Sequence, residues 1–234
     1  YNSQRTTKGG SGHEIIENLL TFDKTFNDVH NLSGVVGMVS EKFDGWSTGV
    51  SGRSNEYSDF GPESRYPDSQ NVTSSQYNEA YFSYLARVMY SYNSKYMITA
   101  NFRADESSKF KKGNRWGYFP SVSAGWMISE ENFMKGASNW LSMLKLRTSY
   151  GQTGNSNVGY RIYDYYEVGR SAIIGGAEST GVYASDLGNR SLTWETTTEF
   201  NVGVDLGILN NRFKLTAEYF KRKITDLLVT NKPL

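Results

Sequence analysis

The chain has no cysteine, which excludes a disulfide scaffold, a thiolate zinc site and a cysteine nucleophile together. It has only two histidines, His13 and His30, and only 4 prolines in 234 residues. No segment approaches the run of about 18 apolar residues that a membrane helix needs. The first residues are not followed by the apolar core of a signal peptide. Charge of one sign is missing too. The 25 Lys+Arg against 24 Asp+Glu leave a net charge of +1, so the basic stripe that marks a nucleic-acid partner is not expected. Aliphatic core is scarce: hydrophobic residues total 38% although aromatics alone are 15%, with 17 Tyr. At roughly 150 residues per domain, the length allows one domain or two.

What is present is period two. Phe82, Tyr84, Ala86, Val88 and Tyr90 have Ser83, Arg87 and Ser91 among the residues between them, and Tyr96, Ile98, Ala100, Phe102 and Ala104 alternate with Thr99, Asn101, Arg103 and Asp105. Val122, Ala124, Trp126 and Ile128 continue the pattern, then Phe200, Val202, Val204 and Leu206, then Phe213, Leu215, Ala217 and Tyr219. Strict alternation sets one face of a strand in an apolar medium and the other in a wet one. The pattern predicts eight strands, near 14–26, 30–43, 76–92, 95–107, 117–129, 143–153, 191–208 and 212–225, with one helical turn near Glu130–Met134. Asn27-Asp28-Val29, Asn93-Ser94 and Asn210-Asn211 read as tight hairpin turns, since these residues tolerate left-handed backbone. Long connections fall near 44–75, 108–116 and 154–190. With antiparallel neighbours, the tight turns collect at one end of the sheet and the long loops at the other. An outer-membrane β-barrel sorts its connections this way. Tyr90, Tyr92, Tyr96, Trp126 and Trp140 lie toward the turn end, and Trp116, Tyr118, Phe119, Tyr150 and Trp194 toward the loop end, as aromatic girdles would. Gly9-Gly10-Ser11-Gly12 reads as a flexible stretch.

The run Arg103-Ala104-Asp105-Glu106-Ser107-Ser108-Lys109-Phe110 and the run Arg115-Trp116-Gly117-Tyr118-Phe119-Pro120-Ser121-Val122-Ser123-Ala124-Gly125-Trp126 resemble SusC/RagA-type TonB-dependent transporters. So do Leu144-Lys145-Leu146-Arg147-Thr148-Ser149-Tyr150-Gly151-Gln152-Thr153-Gly154-Asn155 and the stretch from Leu192 to Asp205. The resemblance covers roughly 20–43 and 76–228. Glu106 departs from it, standing where the family usually has Gly, and Glu tolerates positive φ poorly. The resemblance implies a bacterial outer-membrane barrel of about 22 strands around a plugged lumen, importing oligosaccharides or peptides. It implies a surface lipoprotein lid of the SusD type, and TonB acting on the plug. Neither plug nor TonB box is among these residues, and the last strand does not end on an aromatic. The expected fold is therefore all-β: about eight strands of an antiparallel up-and-down transmembrane barrel, with residues 1–234 forming part of a larger plugged barrel in a lipid bilayer.

Chemistry-bearing clusters are few. Neither histidine has the surroundings of a Ser–His–Asp arrangement, and two His without Cys make a zinc site improbable. Adjacent Glu130 and Glu131 sit in a turn, where a solvated cap is expected rather than a glycosidase pair. Asp44, Asp59 and Asp68 could offer oxygens to calcium, without EF-hand spacing. No catalytic residue, metal or cofactor is assigned. Recognition by loops and lumen remains. Loop aromatics that could stack on a ligand are Trp46, Tyr57, Phe60, Tyr66, Tyr160, Tyr163, Tyr165 and Tyr166. Strand parity gives Arg87, Asn101, Arg103, Asp105, Arg147, Asn201 and Asp205 as lumen-facing. Two alternatives stay open: a complete eight-stranded barrel acting as an adhesin or enzyme, and a soluble carbohydrate-binding β-sandwich. Pairing of the first and last strands would mark the former. An apolar face at Phe200–Leu206 covered by a second sheet would mark the latter.

Overall fold

The computed structural model describes residues 2–54, 69–159, 162–174 and 177–229. The period-two segments form strands throughout. β1 (Asn2–Phe26), β2 (His30–Ser54), β3 (Ser69–Tyr92), β4 (Tyr96–Ser107), β5 (Trp116–Met127) and β6 (Leu141–Asn155) follow one another. β7 (Tyr165–Ile174) and β8 (Ala177–Asp186) make a separate hairpin, and β9 (Glu195–Ile208) and β10 (Phe213–Thr225) complete the set. The main sheet has eight strands in the order β1-β2-β3-β4-β5-β6-β9-β10. β1 and β10 stand at its two edges rather than pairing, which removes the closed eight-stranded barrel. No helix among the described residues is long and apolar enough to cross a membrane.

Residues 1–16 with 40–81 form one compact unit, and 17–39 with 82–234 form another. In the first, rings lie against neighbouring strands. The His13 ring stacks on Phe43 with centroids 4.0 Å apart, and Phe43 meets Tyr81 edge-on. A side chain at Gly45 would collide with the Tyr77 ring, and the indole nitrogen of Trp46 lies over Gly10. The stretch at 9–12 is thus strand, not flexible linker, because its missing side chains leave room for Trp46 and Asp44. The predicted loop at 44–75 shrinks accordingly, since β2 runs on to Ser54 and β3 starts at Ser69.

The second unit shows why the alternation exists. In β4 the exposed positions are Tyr96, Ile98, Ala100 and Phe102, with Met97, Thr99 and Asn101 half-buried between them. In register beside them on β5 stand Trp126, Ala124, Val122 and Pro120. The row continues through Tyr150 and Leu146 of β6 to Phe200 and Val204 of β9, and then to Ala217 of β10. The exposed face is the apolar one. Phe200 and Val204 are 42% and 39% exposed, with no second sheet over them, so this is not the core of a sandwich. A face that seeks hydrocarbon while the opposite face carries the polar groups is what alternation in a membrane wall requires.

Turn chemistry orders one rim. Asn27 and Asp28 have φ of 48° and 59°, and Asn93 and Ser94 have 49° and 54°. Two successive left-handed residues give the turn whose twist matches paired strands. Adjacent turns also bond to one another: the Asn93 N–H to the Val29 carbonyl at 2.6 Å, Met127 to Lys95 at 2.7 Å and Leu209 to Trp140 at 2.8 Å. Rings run along the same rim from His30 through Tyr92 and Tyr96 to Trp126. His30 Nδ1 lies 2.7 Å from the Tyr90 hydroxyl.

The connector from β5 to β6 holds two 3-10 turns, Ile128–Glu130 and Asn132–Ala137. Glu131 between them is not a solvated cap. Its carboxylate accepts from the Tyr96 hydroxyl at 2.5 Å and the Trp126 indole N–H at 3.0 Å, and pairs with Lys95 at 3.6 Å. The Tyr96 hydroxyl, then the Trp126 N–H, hold its pKa below the ordinary value; burial opposes them and Lys95 adds to them. A depressed folded pKa contributes stability above the ordinary carboxylate range and loses it as pH falls through the folded value. Unfolding of the full-length receptor, followed by tryptophan fluorescence, is expected to ease below about pH 4, and Glu131→Gln is expected to flatten that dependence. Leu209 has φ of 52° at an exposed turn position, where a side chain costs about 1 kcal/mol. Leu209→Gly is expected to raise the unfolding midpoint in detergent, by up to about 1 kcal/mol of stability.

Candidate functional site

The face opposite the apolar one carries the charged groups. Arg87 Nε donates to Asn101 Oδ1 at 2.6 Å, and Asn101 Nδ2 donates to Ser121 Oγ at 3.0 Å, a chain across β3, β4 and β5. Arg103 Nε donates to both oxygens of Asp105 at 2.7 and 2.9 Å, and its Nη2 reaches Ser83 Oγ at 3.2 Å. Asn201 stands opposite Ser149. Arg147 is the widest span: Nε donates to Asp205 at 3.1 Å and Nη2 pairs with Glu218 of β10. Thr216 Oγ1 donates to the other Asp205 oxygen at 2.9 Å. Strand parity sets these residues on the side opposite Tyr96 and Phe200, in three hydrogen-bonded groups with Asn201 beside Ser149.

Small residues make this possible. Arg147 reaches β10 by lying across β9 over Gly203, where a Cβ would stand 2.9 Å from its Cζ. Ser121, Ser149, Gly151 and Thr197 pave the space between the charged rows. With Glu199 and Arg222 they line a depression of about 550 Å³. A second, of about 320 Å³, is lined by Thr99, Ser123, Gly125 and Lys145. The surface is a polar, shallow trough with fixed charges at its margins. It offers hydrogen bonds to a neighbouring chain or a passing solute, and among the described residues no cluster of three or more His, Cys, Asp or Glu could hold a metal.

At the loop end of the same face lies the hydrophobic cluster of buried residues found among the described residues. Phe110 is fully buried, and Phe119 and Trp194 are 7% exposed, with Val158 and Leu192 packed on them. The Phe119 ring fills the space that side chains at Gly117 and Gly154 would occupy. Trp194 Nε1 donates to the Arg115 carbonyl at 2.7 Å, and Asn114 Nδ2 donates to the Leu192 carbonyl at 3.3 Å. The loop at 108–115 is thereby fixed to the segment before β9. Phe119 and Trp194 are therefore not girdle residues. Trp116, Tyr118 and Tyr150 are exposed on the apolar face, with Trp116 stacked on Tyr84 at 6.0 Å. Parity carries the distinction: Phe119 is out of phase with Tyr118 and in phase with Ser121. Glu106 needs no left-handed backbone, because β4 continues through it and it lies opposite Trp116.

The aromatics expected in loops divide. Trp46 lies within β2, not in a loop. Tyr57, Phe60, Tyr66 and Tyr160 fall outside the described residues, as do Asp59 and Asp68. Tyr163, Tyr165 and Tyr166 stand together at the base of the β7–β8 hairpin, which occupies the stretch expected to be a loop. They are 61%, 46% and 65% exposed. Asp164 holds that base, accepting from the Gly188 N–H at 2.8 Å and pairing with Arg190 at 3.8 Å.

An open antiparallel sheet, apolar and exposed on one face, polar on the other, with short turns at one rim, is a segment of a transmembrane β-barrel wall. The chain belongs to the TonB dependent receptor-like, beta-barrel family, whose description it matches over residues 1–233. It is 35% identical over 232 residues to TonB-dependent receptor P39 of Formosa agariphila, covering 93% of this chain and 21% of that protein. It is 41% identical over 150 residues to TonB-dependent receptor SusC of Bacteroides thetaiotaomicron, covering 62% of this chain and 15% of that one. The solved structure of the RagAB peptide transporter superposes with a TM-score of 0.86 at 27% identity, covering 99% of this chain and 26% of that one. The SusC/RagA resemblance carried by the motifs thus holds across the fold. The chain spans about a fifth of the length of the curated relatives it matches.

The dependence of the Arg147 network on Gly203 is testable. A double-mutant cycle between Arg147→Ala and Glu218→Ala is expected to give a coupling of a few tenths to about 1 kcal/mol. In a Gly203→Val background the coupling is expected to vanish, because the guanidinium no longer crosses β9.

Proposed function

We propose that the chain forms part of the wall and surface loops of a TonB-dependent importer in a bacterial outer membrane. The observation that carries this is the two-faced wall together with the match to SusC and the RagAB transporter. Its dimensions support it. From the Tyr96–Trp126 pair to the Glu106–Trp116 pair is ten residues of β4, about 34 Å along a strand. At a tilt of about 45° that is about 24 Å of height, against an apolar band of about 25 Å in outer-membrane barrels. The polar face then lines the lumen, with Arg87, Asn101, Arg103, Asp105, Arg147, Asn201 and Asp205 toward the plug or the solute. The short turns face the periplasm and the longer connections the exterior.

In this reading the imported ligand is an oligosaccharide or a peptide, delivered under a SusD-type lipoprotein lid and released when TonB acts on the plug. The segment's role is binding and conduction, not bond breaking. Tyr163, Tyr165 and Tyr166 offer exposed rings at the base that Asp164 ties to Gly188, and the loop between β2 and β3 is the other ligand-contacting region. Replacing Tyr163 and Tyr166 by Ala in the full-length receptor is expected to weaken ligand binding by about two- to ten-fold per ring, the scale of one aromatic contact. Calorimetry with the ligand that supports growth reads this directly. Exchanging 44–75 and 154–190 between paralogues is expected to move ligand preference with them; uptake specificity that stays with the remaining barrel would count against the loops.

A further inference from the structure

The run Lys221-Arg222-Lys223 near the end of β10 looks in one dimension like a single basic cluster. The pleat divides it, because consecutive side chains leave a strand on opposite faces. Arg222 turns to the polar face, where Nε and Nη2 both donate to one Glu199 oxygen, at 2.8 and 2.6 Å. Lys221 and Lys223 turn to the apolar face. Lys221 stands beside Phe200, itself beside Tyr150 of β6, and Lys223 stands beside Thr198, itself beside Gln152. Both lysines are exposed, and neither forms an ion pair among the described residues.

Their height is the informative quantity. Below them the same face of β10 carries Phe213, Leu215, Ala217 and Tyr219, a run suited to hydrocarbon. Tyr96 opens β4 just after its tight turn, and ten residues on, at Glu106, the apolar face reaches the Trp116 level. Phe213 opens β10 just after its own turn, and ten residues on is Lys223. The two ammonium groups therefore sit at the loop-side boundary of the apolar band, pointing away from the lumen. Same-face neighbours on a strand are about 7 Å apart, so both can converge on one anionic group between them. The partner at that height and on that side is a lipid head group.

We propose that Lys221 and Lys223 form a seat for a phosphate of the phosphorylated glycolipid that makes up the outer leaflet. This rests on the outer-membrane reading above. A cation near an anionic lipid surface contributes about 1 kcal/mol, or roughly five-fold in affinity for each lysine. The test is native mass spectrometry of the full-length receptor titrated with diphosphorylated lipid A, fully dephosphorylated lipid A and phosphatidylglycerol. Wild type is expected to retain the phosphorylated glycolipid in preference to both others, by about 25-fold over the dephosphorylated form. Lys221→Gln with Lys223→Gln is expected to abolish that preference, and the Lys→Arg pair to keep it. The heat-modifiable band of the folded barrel shows that each variant has folded. Equal retention of both lipid A forms by wild type, a preference undiminished in the Gln pair, or equal retention of phosphatidylglycerol would overturn the proposal. Density-gradient fractionation of the cells tests location separately, so an outer-membrane receptor without the lipid preference defeats this proposal alone.

Discussion

Everything in this structure depends on one property of the extended chain: consecutive side chains leave on opposite sides. In a water-soluble sheet the two sides differ in burial. Here they differ in the medium they meet, so the exposed face is the greasy one. Backbone polarity is satisfied between strands, which frees each face to be chosen by its own surroundings. The low aliphatic content and high aromatic content follow from the same arrangement. One apolar surface a single side chain deep is needed, and its margins require rings with a wet end and a dry end.

Glycine and serine do on the polar face what leucine does in an ordinary core. They set where large groups can lie. Gly203 lets a guanidinium cross a whole strand, and Gly117 with Gly154 give Phe119 a place on the wall. The result is a surface whose relief comes from absences in the side-chain layer. The Arg147 pairs with Asp205 and Glu218 are held between strands, so they tie together parts of the chain far apart in sequence.

Much of this was legible in the residues. The alternation gave both faces of the sheet, the exposed apolar one and the polar one that carries Asn101, Arg147 and Asp205. The asparagine-rich turns have the left-handed backbone their composition required. What escaped has physical reasons. Phe119 and Trp194 looked like girdle rings because they lie near strand ends, yet Phe119 has the opposite phase to Tyr118 and Trp194 precedes β9, and both enter a buried cluster instead. Gly9 to Gly12 looked like a linker because glycine is permissive. That permissiveness is used to seat Trp46 across a strand pair. The β7–β8 hairpin lacks strict alternation around its glycines, so its pairing was invisible to periodicity. Glu131 seemed a surface charge because no local spacing announces that Tyr96, Trp126 and Lys95 will converge on it.

The first three strands are 25, 25 and 24 residues long, while an apolar band of about 25 Å engages only some ten residues of a tilted strand. The outward apolar run of β1 ends at Ile16, with Glu14 and Gly12 beyond it, and β2 turns to Ser40, Lys42 and Asp44. One continuous strand thus belongs to two climates. Along its dry portion a broken ladder bond finds no replacement, while along its wet portion water stands ready to take each bond's place. The same hydrogen-bond pattern is therefore rigid at one end and forgiving at the other, and a single uninterrupted strand carries both characters.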